Sequence, residues 1–492
     1  MSTIEQYYSQ AELALAAYAN LLSGIPNTTA LQDDGNGMSA AQAAQFAQTY
    51  TVVTQYTDTS TSFSATVFKD AAGNLTLAMR GTLEGGDFIP TDADIASYGA
   101  GYDQIAAMYN WWQRAASPAG QNVDQYEVQF VPIFDEPPAG ALSLYLGTSG
   151  VSVGAYYLVS SAPAVATGEL ANEIASDADH RLAVAGHSLG GHLAMAFGAL
   201  FPDVAGQITT FNAPGFLTTS TNEAFFAALD GTIPAGVNTT NVIADEADVG
   251  DAPWSAIAGL HGRLGVSIDI AIENQWLSDE PDSPAALNHS QQTLTDALAV
   301  YATLAGLDPA LSADNFKSIL DSAAMGTAAS LEQVVDALEG LFGLNTDPLP
   351  GGNANRDALY QAIYAIQGSA TYQSAVQSAD FAQVVSLASL SSDQLAELAQ
   401  SDIAYRYALA HLLPFAISTG DTALYAPHNA NGELNLENYS DQYLNDRADF
   451  LMWMLRFNTR DDAYTTSAPL GATLYRDQGT GIEVQLANTH VP

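Results

Sequence analysis

The 492-residue sequence has no cysteine and very few basic residues. Without cysteine there are no disulfides, no thiolate metal ligands and no thiol redox chemistry. Lys and Arg number 12, with Lys69 and Lys317 as the lysines, against 54 Asp and Glu, so the formal net charge is −42. A surface of that sign repels phosphate backbones and anionic lipid headgroups, which argues against nucleic-acid binding.

Long apolar runs are missing as well. No uncharged apolar stretch reaches the ~18 residues needed to cross a bilayer. Residues 1–14 lack the basic start and apolar core of a cleavable signal peptide. We therefore expect no transmembrane segment and a protein secreted by a route that needs no such signal; an acidic cytoplasmic protein of a halophile is the alternative.

The apolar residues, 48% of the chain, are sufficient for sizeable cores. Apolar runs with strand character alternate with helical periodicity in the first 300 residues, which predicts an α/β fold with a mostly parallel sheet and helices on both faces. Strands are expected at 63–70, 75–82, 181–186, 206–215, 239–248 and 264–275, and helices at 10–22, 103–114, 167–177 and 187–200.

Two regions differ from this pattern in amino-acid composition and periodicity. Residues 83–165 are rich in Gly, Pro and aromatic residues and are expected to be mostly irregular. Residues 301–420 consist of amphipathic helical segments, and a further helix is expected at 438–458, followed by a short-stranded or irregular tail.

The segment "RLAVAGHSLGGHLAMAFGAL" (181–200) places Ser188 between a strand and a helix. A strand that reverses abruptly into a helix needs a strained residue at its apex, and small neighbours prevent clashes there. The apex hydroxyl then lies at a helix N-terminus, where developing negative charge is favoured. This context favours a nucleophile over a simple Gly-Ser turn.

These residues resemble the α/β-hydrolase fold and, within it, the class 3 lipase family. The resemblance rests on "GHSLGGHLA", on "LTLAMRGT" at 75–82 and on the helix "AELALAAYANL", and it covers roughly residues 10–300. It implies that Thr82, which follows Arg-Gly, contributes to the oxyanion hole together with the backbone N–H of Leu189. It also implies a catalytic triad in the chain order Ser, Asp, His.

The triad acid is expected in the acidic cluster that ends the strand at 239–248. Asp248 is the preferred residue because Asp248-Val249 resembles the family's Asp-x-Val, although Gly250 stands where a proline is usual. Asp245 and Asp251 remain alternatives, and a solvated loop carboxylate is the default reading of any one of them.

His289 is the preferred base because it lies between the last predicted strand and the following helix, where the fold delivers its histidine. His261 is the alternative and resembles a structural histidine of the family. His187 and His192 beside the nucleophile are expected to pack or line the site, and His411 is expected in a helical core.

The resemblance leads to a domain prediction. It comprises a catalytic α/β-hydrolase domain at 1–300 with a lid-like insertion at 83–165, a helical appendage at 301–420, and a C-terminal helix and tail at 421–492 that pack on the body. Packing on the flank of the sheet is the alternative to a lid and acyl pocket for the apolar residues of the insertion: Phe88, Ile89, Tyr98, Trp111, Trp112, Phe134, Leu142, Leu144 and Tyr145.

The expected function is hydrolysis of carboxylic esters of acyl lipids through an acyl-enzyme, as in a lipase or esterase. Phospholipase A1 activity is an alternative, and a non-catalytic binding or structural module is an alternative of another class. No cofactor is expected. The acidic loops at 31–37 and 277–284 suggest Ca²⁺ only weakly, since neither fits a twelve-residue loop with a terminal Glu. The oligomeric state is left open.

Overall fold

In the computed structural model of the chain, the strands form one large and three small sheets. The structure describes residues 3–32, 37–82, 90–176, 180–245, 260–273, 289–324, 330–345, 347–378, 382–420, 422–459, 473–476 and 483–485. The strands are β1 (Tyr50–Thr57), β2 (Ser64–Asp70), β3 (Leu75–Met79), β4 (Asn122–Pro132), β5 (Leu142–Ser149), β6 (Ser152–Val165), β7 (Leu182–His187), β8 (Ala205–Phe211), β9 (Thr239–Asp245), β10 (Val266–Ala271), β11 (Gln383–Ser386), β12 (Phe415–Ser418), β13 (Thr473–Arg476) and β14 (Glu483–Gln485).

The large sheet has seven strands in the order β1-β2-β3-β7-β8-β9-β10. β1, β2 and β3 pair antiparallel, and every pair from β3 to β10 is parallel. β7 is the middle strand, and its residues are almost all buried because both faces of a parallel sheet are covered by other elements. This topology, with a strand-to-helix turn after the middle strand, confirms the expected α/β-hydrolase fold and the mainly helical C-terminal region.

The helices cover both faces of this sheet. They are α1 (Thr3–Ala16), α2 (Thr28–Leu31), α3 (Ala40–Thr49), α4 (Pro90–Tyr98), α5 (Tyr102–Ala116), α6 (Ala171–Ser176), α7 (Leu189–Leu200), α8 (Ser220–Ala228), α9 (Gln291–Leu307), α10 (Ala313–Ala323), α11 (Ser330–Leu341), α12 (Arg356–Gly368), α13 (Ala370–Val376), α14 (Ser392–Ser401), α15 (Ile403–His411) and α16 (Asp441–Asn458). Among the described residues, no helix is long and apolar enough to cross a membrane.

One face of the sheet shares a single core with α1 and the C-terminal helices. Ala185 of β7 and Ile270 of β10 belong to the same buried cluster as α9 and as Leu455 near the end of α16. A buried ion pair joins α9 to α12, where Arg356 Nε lies 2.6 Å from an oxygen of Asp296. The opposite face is covered by α5, α7, α8 and part of the small sheet β4-β6-β5.

The expectation that residues 83–165 are mostly irregular was wrong for the part that the structure describes. Two helices, α4 and α5, are followed by β4, β6 and β5, which form an antiparallel sheet. Tyr126 and Tyr145 pack on the body from one face of this sheet, and Tyr156 stacks on Tyr145. Because tyrosine is amphipathic, the usual alternation of apolar and polar residues is weak in this sequence.

Candidate active site

The turn at Ser188 is as tight as its sequence predicts. β7 ends at His187 and α7 begins at Leu189, so Ser188 alone makes the reversal, with a backbone φ of 55° and ψ of −126°. A non-glycine residue holds that conformation only where its surroundings enforce it. The Ser188 N–H donates to the Phe211 carbonyl of β8 at 2.9 Å, which fixes the apex to the neighbouring strand.

Two glycines allow the helix to start this close to the sheet. A methyl group on Gly190 would collide with the Met79 carbonyl oxygen and would lie 2.8 Å from the Arg80 carbonyl carbon. One on Gly186 would collide with the Gly190 carbonyl, that is, with the first turn of α7. The first approach brings the end of β3, and the second the end of β7, against the start of α7 beside Ser188.

His289 is the histidine that meets the serine. Its Nε2 lies 2.9 Å from Ser188 Oγ, although the two residues are 101 positions apart in the chain. Burial lowers the pKa of His289 to about 4, so the ring is neutral at pH 7. In the tautomer that carries its proton on Nδ1, Nε2 accepts the hydroxyl proton in this hydrogen bond. Ser188 Oγ and a neutral imidazole in this arrangement have the geometry of a nucleophile and its general base.

The other imidazole nitrogen of His289, Nδ1, is the atom on which a triad acid would act. His289 Nδ1 is buried and has no hydrogen-bond partner among the described residues. Asp248, the predicted acid, and its alternative Asp251 lie outside the described residues, and of Asp245 the structure describes only the backbone at the end of β9. The choice among the three carboxylates therefore stays a prediction.

Tyr18 and His187 hold the backbone of His289 in place. His187 Nε2 lies 2.7 Å from the His289 carbonyl oxygen, and since that oxygen only accepts, Nε2 carries the proton. His187 Nδ1 therefore accepts from the Tyr18 hydroxyl, which is 2.7 Å away. Burial holds the pKa of His187 well below its usual value, and nearby His289 lowers it further, so the ring stays neutral.

The sequence predicted only packing or lining for His187 and did not single out Tyr18. Nothing in the local pattern of either residue indicates this arrangement, because Tyr18 follows α1 and reaches His187 across 169 positions of the chain. The ring of His187 also packs against that of His289, with centroids 4.8 Å apart. The structure thus adds two positioning residues to those that the motifs indicated.

The segment that contains Thr82 lies directly beside the serine. A methyl group placed on Gly81 would lie 3.3 Å from Ser188 Cβ and 2.6 Å from the His187 carbonyl oxygen. Thr82 Oγ1 donates to both carboxylate oxygens of Asp92 in α4, at 3.0 and 2.9 Å. These bonds fix Thr82 to α4, and burial raises the pKa of Asp92 although the threonine opposes the shift.

Leu189 is the first residue of α7, so its N–H has no partner within the helix. It immediately follows Ser188, and the positive end of the helix dipole points toward the same place. The structure thus brings four of the predicted site residues together: Thr82, Ser188, Leu189 and His289.

Three other histidines that the sequence singled out have other contacts. His261 Nε2 contacts the Ile95 carbonyl oxygen of α4 at 2.5 Å, away from Ser188. His192 is fully buried, stacks on Phe216 at 3.7 Å and meets the backbone of Gly101. His411 packs against Tyr407 at the end of α15 but is exposed, so the expectation of a core position was wrong.

Some aromatic residues of the region 83–165 are buried in the core, and others are partly or fully exposed. Trp111 and Trp112 are buried in the core on the α5 face of the sheet, where Trp112 contacts Phe197 of α7 edge-on. Tyr98 and Tyr145 stack on each other with centroids 4.1 Å apart, and Phe134 is 97% exposed. Phe88 and Ile89 lie outside the described residues. Flank packing, rather than an acyl pocket, is thus the observed role of the two tryptophans.

Metal ligands are not grouped in the described parts of the chain. No three His, Asp or Glu side chains of those residues cluster in a way that would hold an ion. The acidic loop at 277–284 and both acidic residues of the loop at 31–37 lie outside the described residues.

No protein-family model and no curated protein matches the chain. Among solved structures, it is similar to Lip2 lipase from Yarrowia lipolytica, with 13% identity, 56% of this chain and 80% of that chain covered, and a TM-score of 0.26. Lipase II from Rhizopus niveus has 14% identity, 55% and 80% coverage and a TM-score of 0.26. A triacylglycerol lipase from Penicillium expansum has 14% identity, 55% and 82% coverage and a TM-score of 0.23. Identities and scores this low carry no argument about activity.

Proposed function

We propose that the chain is a serine hydrolase that cleaves carboxylic esters of acyl lipids through a covalent acyl-enzyme. The observation that carries the proposal is the 2.9 Å hydrogen bond between Ser188 Oγ and His289 Nε2 at a strained turn on a helix N-terminus. A non-catalytic module has no need to maintain a strained serine, a neutral buried histidine and two further groups that fix the histidine backbone.

In the acylation step, Ser188 Oγ attacks the ester carbonyl carbon while His289 Nε2 takes the hydroxyl proton. The carbonyl oxygen becomes an oxyanion, to which the N–H groups of Thr82 and Leu189 donate. The tetrahedral intermediate collapses when the C–O bond to the alcohol breaks and His289 returns the proton to that leaving oxygen. Water then attacks the acyl-serine with His289 again as base, which releases the carboxylic acid and regenerates the serine.

Asp248 is the proposed orienting acid. A carboxylate that accepts from the buried Nδ1–H of His289 would fix the tautomer that presents a bare Nε2 to the serine. It would also favour the protonated ring and so raise the pKa of His289 above the value that burial alone produces.

Neutral acyl lipids such as triacylglycerol are the favoured substrates over phospholipids with anionic headgroups. The net charge of −42 is the support for this choice, since it opposes approach to an anionic surface. Phospholipase A1 activity remains the alternative, and release of the sn-1 fatty acid from phosphatidylcholine would distinguish it.

The test combines labelling with turnover. We expect a fluorophosphonate probe to label Ser188 in the wild type and not in Ser188→Ala, and a panel of p-nitrophenyl esters to be hydrolysed by the wild type. Ser188→Ala and His289→Ala should each lose about 10⁴-fold or more of kcat. His261→Ala is the matched control, because His261 bonds to α4 and not to the serine. Loss of turnover in the control with retention in His289→Ala would overturn the assignment.

A further inference from the structure

The free end of the sheet β4-β6-β5 carries an unusual concentration of exposed apolar side chains. Among the described residues, eleven large apolar side chains are exposed, and five of them lie within residues 133–153. These five, which we term the apolar tip, are Ile133, Phe134, Leu146, Val151 and Val153. Single exposed apolar residues are ordinary, whereas a contiguous group indicates an interaction surface.

The strand register makes the group contiguous. The Ile133 N–H donates to the Val153 carbonyl oxygen, so these residues are neighbours on adjacent strands. Leu146 pairs with Ala155, two positions along β6 from Val153 and therefore on the same face of the sheet. Phe134 and Val151 lie beyond the strand ends and are essentially fully exposed, which means that they project from the sheet.

A stack of aromatic rings supports the tip from the opposite face. Ring centroids are 5.2 Å apart for Phe130 and Tyr156, 4.7 Å for Tyr156 and Tyr145, and 4.1 Å for Tyr145 and Tyr98. The Tyr98 hydroxyl donates to the Leu146 carbonyl oxygen at 3.3 Å. Tyrosines behind exposed aliphatic side chains are typical of surfaces that contact both water and lipid, since the ring is apolar and the phenol polar.

The local charge restricts which surface the tip can contact. The sequence has no Lys or Arg between Arg114 and Arg181, and Asp135 and Glu136 directly follow Phe134. Anionic lipid and a second copy of this acidic chain are both repelled. A stable protein interface buries about 800 Å² on each partner, with about 20–30 residues a side, whereas the apolar tip consists of five side chains. Insertion into a lipid interface needs only a few apolar groups.

We propose that the apolar tip docks the protein on a lipid surface without net charge. The inference deepens the proposed function, on which it rests, because it specifies an aggregated substrate. The sheet is also connected to the candidate site. The Tyr145 hydroxyl donates to Asp94 of α4 at 2.7 Å, and two positions away Asp92 accepts from Thr82. A docked tip therefore has a continuous set of contacts to the segment beside Ser188.

The test measures binding without turnover. The full chain with Ser188→Ala is mixed with phosphatidylcholine vesicles, and the bound fraction is determined by flotation. We expect Phe134→Ser/Val151→Ser to lower the vesicle partition coefficient at least tenfold. Val165→Ser is the matched control, because Val165 is 61% exposed at the opposite end of β6 and should leave binding unchanged. A Phe134→Trp variant should retain binding and show a blue-shifted fluorescence emission with vesicles.

Three results would overturn the inference: no vesicle binding by the Ser188→Ala protein, equal binding by the tip variant and the control, or stronger binding to phosphatidylglycerol than to phosphatidylcholine. A wild-type dimer that dissociates in the tip variant would instead assign the surface to a second copy and also overturn it. Failure of the proposed function is recognised separately, by the absence of turnover on a soluble short-chain ester. The tip variants should hydrolyse that ester at the wild-type rate.

Discussion

Replacement of Tyr18 by phenylalanine tests whether contacts to the backbone of His289, the proposed base, hold this residue in place. The exchange removes one oxygen atom, the donor to His187 Nδ1 at 2.7 Å. His187 is 6% exposed, so water does not easily replace the lost hydroxyl, and an unpaired buried acceptor costs about 1–3 kcal/mol. The alternative for the ring is to move its proton to Nδ1, which places a bare Nε2 against the His289 carbonyl oxygen at 2.7 Å.

Either response weakens the contacts that position His289. We expect Tyr18→Phe to lose about 1–3 kcal/mol of unfolding free energy in urea. We also expect kcat on a soluble ester to fall by about tenfold to a hundredfold, because a shift of ~1 Å in a catalytic group has an effect of that order. KM should change little, since Tyr18 is proposed to act through His289 and not on the substrate.

A double variant separates the loss of kcat caused by a misplaced His289 from a general loss of stability. In His187→Gln, the amide of glutamine donates to the His289 carbonyl oxygen without a choice of tautomer, so Tyr18→Phe/His187→Gln should recover much of the lost kcat. Tyr7→Phe on α1 is the matched control, because Tyr7 is a partly buried tyrosine of this helix that packs against the shared core. If Tyr18→Phe retains kcat within twofold and unfolds like Tyr7→Phe, the reasoning is refuted.

Three further outcomes are expected. Arg356→Met should cost about 3–5 kcal/mol in urea unfolding, because it leaves Asp296 buried without its cation, and an unchanged midpoint would contradict that. Burial raises the pKa of Asp94 to about 7, so between about pH 4 and 7 the folded state holds a proton that the unfolded state has lost. The free energy of unfolding of the wild type should therefore fall as the pH rises through this range. Asp94→Asn should reduce the difference between urea titrations at pH 5 and pH 8. Asp248→Asn should lower kcat about 10⁴-fold and shift the acidic limb of its pH profile downward; loss in Asp251→Asn instead would move the acid to that residue.

The parts of the site that sequence predicts are those encoded locally. A buried apolar strand, a serine between glycines and an Ala-rich helix are all contained in residues 181–200, and they form the observed turn. His289 was identified by its order in the chain, and it meets Ser188 as that order predicted. Chain order predicts this contact because the loops that follow parallel strands all lie at the carboxyl edge of the sheet.

The parts that sequence did not predict depend on distant contacts. Tyr18 has a role only because α1 packs beside α9 and β7, which no local pattern encodes. The three strands β4, β5 and β6 were missed because tyrosine and small residues obscure their alternation. Trp111 and Trp112 have the composition of a lipid pocket, and only the observed packing shows that they fill the core.

The hydrogen bonds from Tyr18 to His187 and from His187 to His289 also affect when the site forms during synthesis. The 271 positions from Tyr18 to His289 take about 14–54 s to translate at about 5–20 residues per second. Throughout that interval α1 lacks α9, its neighbour in the shared core, and Ser188 emerges from the ribosome well before its base. Under the proposed function, a nascent chain that ends before His289 therefore has a nucleophile but no base.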